Sequence, residues 1–540
     1  MTEETYDVII VGGGFSGTYS LYKLTKCGFR CKLIEKGSGF GGTWYWNRYP
    51  GARVDTYVPL YELSIEELWK DWEWKEAYPS GEDLLTYFDH IDRKLGLRQH
   101  CLFNATVKSA HWDAHNHLWK VAAEGNTGIY KAKSRHIVLG VGSLSTPYIP
   151  KIKGLDRFAG KWAHTAQWPA EGIEFRNKRV GLIGTGASGV QVVQEVGPKA
   201  QELVVFQRTP NMAVPMRQRP LQSNDQALAK ASYPETHQRR RHTFGTFDYD
   251  LNGRETNDDT DEQRELVYEE LWDLGGFRPL IGGYIDVLSS KHANDLLYAF
   301  WRKKVCERIS DNGKRAILAP ETPPHPFGAK RVSLEQNYWE VMCQSNIDLV
   351  NVNEEPVIEV TATGVRTTRQ EYEFDVIILA TGFDGYTGSF LQIDIRGEGG
   401  RTIQEHWKDG VKSYLGTSID QFPNLWYIYG PHGPAALNTA PVVAEIQTDW
   451  LAGLLEHLRN QSITKAVAKS TAADVYSRHV CDIAPPLVLQ ANSWYLGANV
   501  PGKMRAIRDY MGGVPAYISE LAKEVEEGYP GFQTSGPETG

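Results

Sequence analysis

The chain contains one supersecondary unit twice, and this repeat limits its fold more than any other feature. The first copy is "DVIIVGGGFSGTYSLYKLTKCGFRCKLIEKG", an apolar strand, a glycine turn, a helix and a second strand ending at Glu35. Gly12, Gly14 and Gly17 have the spacing GxGxxG, whose glycines allow a tight turn, close approach of a pyrophosphate and packing of helix on strand. The phosphates then lie at the helix N-terminus, and the acid binds ribose hydroxyls. The unit therefore predicts an adenine dinucleotide site.

The second copy is "KRVGLIGTGASGVQVVQEVGPKAQELVVFQRTPN", with Gly184, Gly186 and Gly189 in the same spacing. Its second strand is followed by Arg208 and Thr209 rather than by an acid. A carboxylate here would repel a 2′-phosphate, whereas an arginine offers a cationic fork, so the site is predicted to bind NADPH. A structural role for Arg208 with NADH as the ligand stays open. The acid of the first site suits FAD, and two different dinucleotides imply electron transfer between them.

The length of 540 residues exceeds the roughly 250–300 residues at which one hydrophobic core stops growing. We expect an α/β fold with two Rossmann-like dinucleotide-binding domains and a helical insertion. The stretch "EFDVIILATGFD" is interpreted as a strand that returns to close the FAD domain, with "IVLGVGSLSTP" as its counterpart. The predicted boundaries are 1–148 and 376–540 for the FAD domain, 149–218 and 328–375 for the NADP domain, and 219–327 for the polar, helix-rich insertion.

The composition excludes several classes of protein. A net charge of −8 and a pI near 6.0 argue against nucleic-acid binding, which requires a clustered basic surface. The run Arg239–Arg241 is the only candidate, and we interpret it as a solvated helix face. The sequence carries neither a signal peptide at its start nor an apolar run of about 18 residues, so we expect a cytoplasmic protein without stable membrane insertion.

The six cysteines have the spacing of neither a disulfide framework nor a zinc site, and no metal is predicted. The closest pair, Cys27 and Cys31 in "CGFRC", is interpreted as two small hydrophobic residues. A redox pair near the flavin is the alternative.

A family resemblance names the reaction. "FAGKWAHTAQWP" places Phe158, Gly160, His164 and Trp168 in the order FxGxxxHxxxWP, just before the second glycine motif. This resembles the fingerprint of the flavin-dependent Baeyer–Villiger monooxygenases, whereas the related N- and S-oxygenating flavin monooxygenases end the pattern in Tyr or Phe. A second signature of that family is matched by "GGTWYWNRYPGARVD" at six positions, which are Gly42, Trp44, Tyr49, Pro50, Gly51 and Asp55. Further similarity in "PHPFGAKR", "ATGFD", "FPNLW" and "SWYLGANVPGK" extends over nearly the whole chain.

The resemblance implies an NADPH- and O2-dependent enzyme that converts small-molecule ketones to esters or lactones through a C4a-peroxyflavin anion. Arg331 matches the family's catalytic arginine and Asp55 its orienting carboxylate, both beside the cofactors. An arginine suits the role because it stays charged and donates oriented N–H groups to a developing oxyanion. Lys330 matches a residue that binds the 2′-phosphate, and Trp44 and Trp494 match cofactor-site positions, Trp494 near the nicotinamide.

His164 could serve as a general base, because its ordinary pKa of ~6.5 permits it. The resemblance instead implies that the fingerprint couples the movements of the two domains. In that role Phe158 and Trp168 anchor the segment, Gly160 permits its turn and His164 forms a hydrogen bond across the joint.

Three alternative functions are less consistent with the sequence. A serine hydrolase is excluded because neither Ser16 nor Ser188 lies in GxSxG. A non-catalytic redox sensor is disfavoured by the pair Asp55 and Arg331. The nearest rival is an N- or S-oxygenating flavin monooxygenase.

Overall fold

A computed structural model describes residues 4–126 and 128–536. The strands in these residues are β1 (Glu4–Val11), β2 (Cys31–Ile34), β3 (Cys101–Leu102), β4 (Ala105–Asp113), β5 (Leu118–Gly125), β6 (Gly128–Leu139), β7 (Lys161–His164), β8 (Arg179–Ile183), β9 (Glu202–Gln207), β10 (Val214–Pro215), β11 (Leu334–Glu335), β12 (Ile347–Asn351), β13 (Val357–Val360), β14 (Gly364–Thr367), β15 (Glu371–Glu373), β16 (Val376–Leu379), β17 (Asp394–Arg396), β18 (Leu425–Tyr427), β19 (Lys465–Ala468) and β20 (Phe532–Ser535). The α-helices are α1 (Phe15–Lys26), α2 (Thr43–Trp46), α3 (Glu66–Trp69), α4 (Gly81–Leu95), α5 (Ala187–Val196), α6 (Ser223–Ala229), α7 (Tyr233–Arg239), α8 (Asp261–Leu274), α9 (Arg278–Ile281), α10 (Lys291–Cys306), α11 (Asn312–Leu318), α12 (Tyr338–Met342), α13 (Gly388–Leu391), α14 (Ile403–His406), α15 (Ala440–Asn460), α16 (Ser470–Asp482), α17 (Pro486–Gln490) and α18 (Val514–Glu526).

The first sheet contains the first glycine unit. Its strand order is β17-β4-β5-β6-β1-β2-β3, with β18 paired to β6. The continuous apolar run of β1 fits a central parallel strand that is buried on both faces. Val8 and Ile10 face a core that includes the neighbouring helices α1 and α15, whereas Ile9 faces the core on the opposite side of the sheet. The glycine turn after β1 lies at the carboxyl end of the parallel strands β1, β2 and β6.

The second sheet contains the second glycine unit and has the order β12-β9-β8-β16-β7. All four pairings are parallel. In the first sheet, β1 likewise pairs in parallel with β2 and β6, so both glycine units have the arrangement predicted for a Rossmann-like unit. The predicted α/β fold is therefore confirmed.

The assignment of β16 to the FAD domain is wrong. This strand, which ends in the Ala380-Thr381-Gly382 turn, was predicted to close the first domain, but it pairs with β8 and β7 of the second sheet. The physical reason is a close backbone approach, because a Cβ on Gly184 would collide with the Ala380 carbonyl oxygen. In the first sheet the same place is taken by Gly140, against which a Cβ on Gly12 would collide. The chain then returns to the first sheet through β17 and β18.

The segment between β10 and β11 is helical. Throughout residues 219–327, all of which the structure describes, it contains helices α6 to α11 and no strand. Its apolar residues share a core with the second sheet, and the indole N–H of Trp301 donates to the carbonyl oxygen of Ala213 at 2.8 Å. The insertion is thus packed on the second unit.

The interpretation of Arg239–Arg241 as a solvated helix face is wrong for its central residue. Arg240 is fully buried and donates to the carbonyl oxygen of Leu60 at 2.9 Å and to the Ser64 hydroxyl at 2.8 Å. Its guanidinium lies 3.5 Å from the buried carboxylate of Glu445 on α15. The buried carboxylate and the backbone carbonyl oxygens compensate the charge of the buried guanidinium. Through these contacts, Arg240 fastens the insertion to the first unit.

Within the described residues, the cysteines form no disulfide and no helix could span a membrane. All six cysteines are free, and burial raises the pKa of Cys31 to about 12, which leaves it a poor nucleophile. Among the residues described, no helix is long and apolar enough to cross a membrane. In the same residues, no group of three or more His, Cys, Asp and Glu side chains is arranged to hold a metal ion.

Candidate active site

The first glycine turn is a cradle of bare backbone. Gly12 adopts a φ of +103°, and a Cβ on Gly17 would collide with the Gly12 carbonyl oxygen. Gly14 precedes α1 and makes no side-chain cap. A Cβ on Gly42 would lie 2.7 Å from the Cα of Gly14. The N–H groups at the start of α1 therefore have no capping side chain and are free to bind an anion. The turn could hold the pyrophosphate of a dinucleotide.

Glu35 lies directly after β2 and ties this turn together. Its Oε2 accepts a hydrogen bond from Gly13 N at 2.6 Å, and its Oε1 accepts one from Gly37 N at 2.6 Å. Burial raises the pKa of the carboxyl group, and the two N–H donors oppose that shift. Each oxygen keeps a second lone pair, so the carboxylate could also accept hydrogen bonds from ribose hydroxyls.

The second glycine turn repeats the geometry of the first. Gly184 adopts a φ of +108°, and a Cβ on Gly189 would collide with the Gly184 carbonyl oxygen. Gly186 precedes α5 without a side-chain cap, and a Cβ on it would have no atom within 4 Å. The open space beside Gly186 is where a pyrophosphate would approach the backbone.

A cavity of about 480 Å³ lies beside this turn. It is lined by Arg208, Thr209, Pro210, Pro324, Lys330, Asn353, Asn492 and Ala498. Asn353 Nδ2 donates to the Arg208 carbonyl oxygen at 2.6 Å, and Thr185 Oγ1 donates to that of Thr209 at 2.9 Å.

The electrostatics of this cavity favour an anion. Burial and the charge of Arg208 lower the pKa of Lys330 to about 8. Within residues 4–126 and 128–536, neither cation forms a salt bridge with an acidic side chain. Two neighbouring cations without a protein counter-ion could hold the 2′-phosphate of NADPH.

Arg331 and Asp55 meet, as predicted. Arg331 Nε donates to Asp55 Oδ2 at 2.8 Å and Nη2 donates to Oδ1 at 3.0 Å, which is a bidentate pair. The third nitrogen, Nη1, donates to the carbonyl oxygen of Ala436. The guanidinium also lies 4.2 Å from the centroid of the Phe277 ring. The side chain is held on several sides, although it comes from a loop.

The charge of Arg331 is permanent. Burial acts to lower the pKa of its guanidinium, but the adjacent Asp55 outweighs this and leaves the pKa above its usual value. Three tyrosines surround the cation, and burial raises the pKa of each phenol, which stays neutral. These residues are Tyr61, Tyr429 and Tyr495. The ring of Trp44 meets that of Tyr61 edge to face at 6.0 Å.

The loop that carries Asp55 reaches the second glycine unit. Tyr49 donates from its hydroxyl to Gln191 Oε1 at 2.7 Å and accepts from the Ser188 hydroxyl at 3.1 Å. A Cβ on Gly51, which follows Pro50, would lie 2.7 Å from the carbonyl oxygen of Gln191. This signature segment therefore packs against the first turns of α5 and bridges the two units.

The fingerprint segment is partly a strand. Its central residues form β7, the edge strand beside β16. Phe158 is buried in a core with Val204, and Trp168 is buried in the core of the second unit. A Cβ on Gly160 would meet the Phe158 ring at 2.6 Å, which accounts for the glycine.

His164 is buried at the crossing between the two units. Its Nδ1 accepts from Ala166 N at 3.0 Å, and its ring meets Phe383 at 6.0 Å. Burial lowers the pKa of His164 to about 4, against a weaker interaction with the Gly382 backbone. A neutral, enclosed imidazole is poorly suited to exchange protons with a substrate.

Trp494 lies in a short 3-10 helix, Trp494–Leu496. Its ring stacks on Tyr386, with centroids 5.4 Å apart and an interplanar angle of 22°. The Tyr386 hydroxyl donates at 3.0 Å to Asp509 Oδ1. The sequence alone does not indicate a role for Asp509, because no motif surrounds it in "KMRAIRDYMGG".

Comparison with known proteins agrees with this geometry. A family model described as "Flavin-binding monooxygenase-like" matches residues 5–216. The chain is 42% identical to cyclopentanone 1,2-monooxygenase of Comamonas sp., over 97% of this chain and 95% of that protein. It is 34% identical to a Baeyer–Villiger monooxygenase of Pseudooceanicola batsensis, over 97% and 95% of the two chains. The crystal structure of OTEMO in complex with FAD and NADP superposes with a TM-score of 0.94 at 32% identity, covering 99% and 100% of the chains.

With relatives of this identity and coverage, the family is established. The chain belongs to the Baeyer–Villiger monooxygenases, the FAD- and NADPH-dependent enzymes that oxidise ketones to esters or lactones.

Proposed function

We propose that FAD binds at the first glycine turn, with Glu35 on its ribose, and that NADPH binds at the second. The bare helix N-terminus after Gly14 and the buried acid support the first assignment. The cavity with Arg208 and Lys330 supports the second. When bound, reduced FAD supplies the activated oxygen that is inserted beside the ketone carbonyl. The first sheet would then form the FAD domain, and the second sheet, with β16 included, the NADP domain.

Arg331 is the catalytic residue of this proposal, and its fixed, permanent charge is the observation that carries it. Three of the five N–H donors of the guanidinium bind Asp55 and Ala436. The remaining donors can stabilise negative charge that develops on the substrate oxygen. Asp55 holds the fork in place, so the donors need no reorientation during the reaction. The neutral tyrosines nearby exclude water without competing for the charge.

The substrate class we propose is a small cyclic ketone, which would yield a lactone. The argument rests on the relative named cyclopentanone 1,2-monooxygenase, to which the chain is 42% identical over 97% of its length. The Phe277 ring, which lies 4.2 Å from the Arg331 guanidinium, offers an apolar surface suited to such a ring.

The fingerprint residues, in this proposal, link the domains rather than take part in the chemistry. His164 packs against Phe383. Next to this contact, the two chain segments that connect the domains are joined by a hydrogen bond from Tyr148 N to the Gly382 carbonyl oxygen at 2.8 Å. Phe158 and Trp168 anchor the two ends of the segment on opposite faces of the second sheet.

The test is to incubate the enzyme with NADPH, 18O2, cyclopentanone and, separately, a thioether, and to identify the products by mass spectrometry. A lactone with one 18O atom is expected. Sulfoxide as the sole oxygenated product would favour the N- and S-oxygenating alternative.

Arg331→Ala is the matched variant for this test. It is expected to consume NADPH and release hydrogen peroxide while lactone formation falls by about 100-fold, the effect of removing one positioned oxyanion donor. Arg331→Lys keeps a charge without the fork and should recover only part of the activity. Lactone formation by Arg331→Ala at the wild-type rate would refute the catalytic assignment.

A further inference from the structure

Asp509 is a buried carboxyl group that the reaction scheme above does not use. Its Oδ1 accepts three hydrogen bonds, from Ala435 N at 2.9 Å, from Ala436 N at 3.0 Å and from the Tyr386 hydroxyl at 3.0 Å. Its Oδ2 has no hydrogen-bond partner within residues 4–126 and 128–536. One oxygen atom thus gathers donors from two distant parts of the chain.

One of these contacts leads to Arg331 through a single peptide group. The N–H of Ala436 donates to Asp509, and the carbonyl oxygen of Ala436 accepts from Arg331 Nη1. A carboxylate on the N–H of an amide fixes the loop that carries this carbonyl and strengthens the carbonyl as an acceptor. Asp509 therefore fixes the position of the carbonyl group that accepts the hydrogen bond from Arg331 Nη1.

A second contact leads to Trp494 through one aromatic ring. The Tyr386 hydroxyl is held by Asp509, and the Tyr386 ring stacks on the Trp494 indole at 5.4 Å. The hydrogen bond from the Tyr386 hydroxyl fixes the plane of the Tyr386 ring, and the Trp494 indole stacks on that plane. The orientation of Trp494 therefore depends on the same oxygen atom as that of Arg331.

The backbone around Asp509 is fastened to both parts. His432 N donates to the Arg508 carbonyl oxygen at 2.8 Å, and Tyr510 N donates to that of Gly433 at 3.1 Å. Arg508 N donates to the carbonyl oxygen of Tyr495 at 3.0 Å. These three bonds hold residues 508–510 between the loop of Ala436 and the helical turn of Trp494.

A buried carboxyl group with one unpaired oxygen is a costly way to fill space. Burial raises the pKa of Asp509 to about 7, and the donors from Ala436, Tyr386 and Ala435 oppose that shift. An apolar residue would avoid the unpaired oxygen but would leave the N–H groups of Ala435 and Ala436 and the Tyr386 hydroxyl without an acceptor. The carboxyl group is therefore explained by the three donors that it holds, two of which lead to Arg331 and Trp494.

We infer that Asp509 is a positioning residue that orients Arg331 through the Ala436 peptide and Trp494 through Tyr386. The inference rests on the proposed function, in which Arg331 acts on the substrate oxygen, and on the place near the nicotinamide that the family resemblance implies for Trp494. It predicts that oxygen insertion and retention of NADP+ depend on one buried carboxyl group.

The experiment compares the FAD-loaded wild type with Asp509→Ala, Asp509→Asn and Tyr386→Phe. Two quantities are measured: lactone and hydrogen peroxide formed per NADPH, and the dissociation constant of NADP+ by calorimetric titration. Asp509→Ala should lower lactone yield and weaken NADP+ binding, each about tenfold, which corresponds to roughly 1.4 kcal/mol. Asp509→Asn keeps a carbonyl oxygen for the three donors and should stay within about threefold of wild type.

Tyr386→Phe separates the two contacts. It keeps the ring but removes the hydroxyl, so NADP+ binding should weaken while lactone formation at saturating NADPH changes less than in Asp509→Ala. Asp420→Ala is the control, because Asp420 is equally buried and accepts from His406 and Ser470. It should lower the melting temperature without changing the ratio of lactone to peroxide.

Two results would overturn the inference. One is an Asp509→Ala enzyme with wild-type product ratio and NADP+ affinity. The other is Asp509→Asn that is as impaired as Asp509→Ala at the same melting temperature. If the wild type forms no lactone, the proposed function fails, and the NADP+ titration still tests the contact to Trp494.

Discussion

The two glycine units have the same backbone geometry and differ in the charge of the residue that follows their second strand. In both, the first glycine of the motif has a positive φ and lies against the end of a neighbouring strand, Gly140 in the first unit and Ala380 in the second. In the first unit, the acid Glu35 follows the second strand of the unit and is occupied with backbone N–H groups. In the second, Arg208 follows and lies beside Lys330, and no acidic residue in the described part of the chain pairs with either.

The comparison separates two jobs that the motif performs. The glycines make room for a pyrophosphate and are equally needed in both units. The residue after the second strand selects the ribose, because a carboxylate accepts hydroxyl donors and repels a phosphate, whereas a cation attracts it. Variants of the glycines should therefore abolish binding, and variants of the selecting residue should change its preference.

The largest effect is expected from the third glycine of each motif. Gly17→Ala would force its Cβ into the Gly12 carbonyl oxygen, and Gly189→Ala would do the same at Gly184. Gly17→Ala should yield protein without flavin, measured by its visible absorbance after purification. Gly189→Ala should keep its flavin and lose measurable NADP+ binding.

Gly186→Ala is the matched control for the second unit, since its Cβ meets no protein atom within 4 Å. It should fold with a normal melting temperature and weaken NADP+ binding only by crowding the pyrophosphate. Loss of flavin in Gly189→Ala would contradict the independence of the two units.

The next effect is a loss of preference between NADPH and NADH. Arg208→Ala together with Lys330→Ala removes both cations of the cavity. Each charge-assisted hydrogen bond contributes roughly 1.5–3 kcal/mol, so the KM for NADPH should rise by about 100-fold while that for NADH changes little. Steady-state kinetics with both nucleotides measure this ratio. An equal rise for both nucleotides would mean that the cations bind the pyrophosphate instead.

A smaller effect is expected at the acid of the first unit. Glu35→Gln keeps an acceptor for one of its two N–H donors, Gly13 or Gly37, and places an NH2 group against the other. The free energy of FAD binding should weaken by about 1–3 kcal/mol, the cost of a buried donor left unsatisfied. Fluorescence of FAD released during thermal unfolding reports the change. Unaltered FAD retention would show that the carboxylate is dispensable for this turn.

Local patterns made the two cradles predictable. Gly12, Glu35 and Arg208 stand at fixed spacings within single units, so the sequence alone indicated their chemistry. The pair of Arg331 and Asp55 was predicted from the family resemblance, since nothing local relates residues so far apart in the chain.

Contacts between distant segments were not predictable. The four apolar residues of β16 would suit a central position in either sheet, and its pairing with β8 and β7, beside the close approach of Ala380 to Gly184, places it in the second. The burial of Arg240 depends on Glu445, which lies on a different helix. Asp509 likewise gains its importance from Ala436 and Tyr386. In each case the partner, rather than the residue itself, determines the role.

The smallest effect is a pH dependence that only the second unit should show. Burial and the charge of Arg208 lower the pKa of Lys330 to about 8, so the ammonium is charged below that pH and neutral above it. A 2′-phosphate carries its full charge well below this range, since its second pKa is ~6. NADP+ affinity should therefore fall as the pH rises through about 8, by at most about tenfold per pH unit, since a single proton is lost.

The phosphate itself will hold the proton on Lys330 once the nucleotide is bound, so the decline should begin near pH 8 and extend above it. Lys330→Met keeps the length of the side chain and has no charge to lose, so its NADP+ affinity should be lower and flat across the same range. Binding of NAD+, which lacks the 2′-phosphate, should be independent of pH in both proteins. A decline of equal size in Lys330→Met would assign the titration to another group and leave Arg208 as the main contact that distinguishes the second unit from the first.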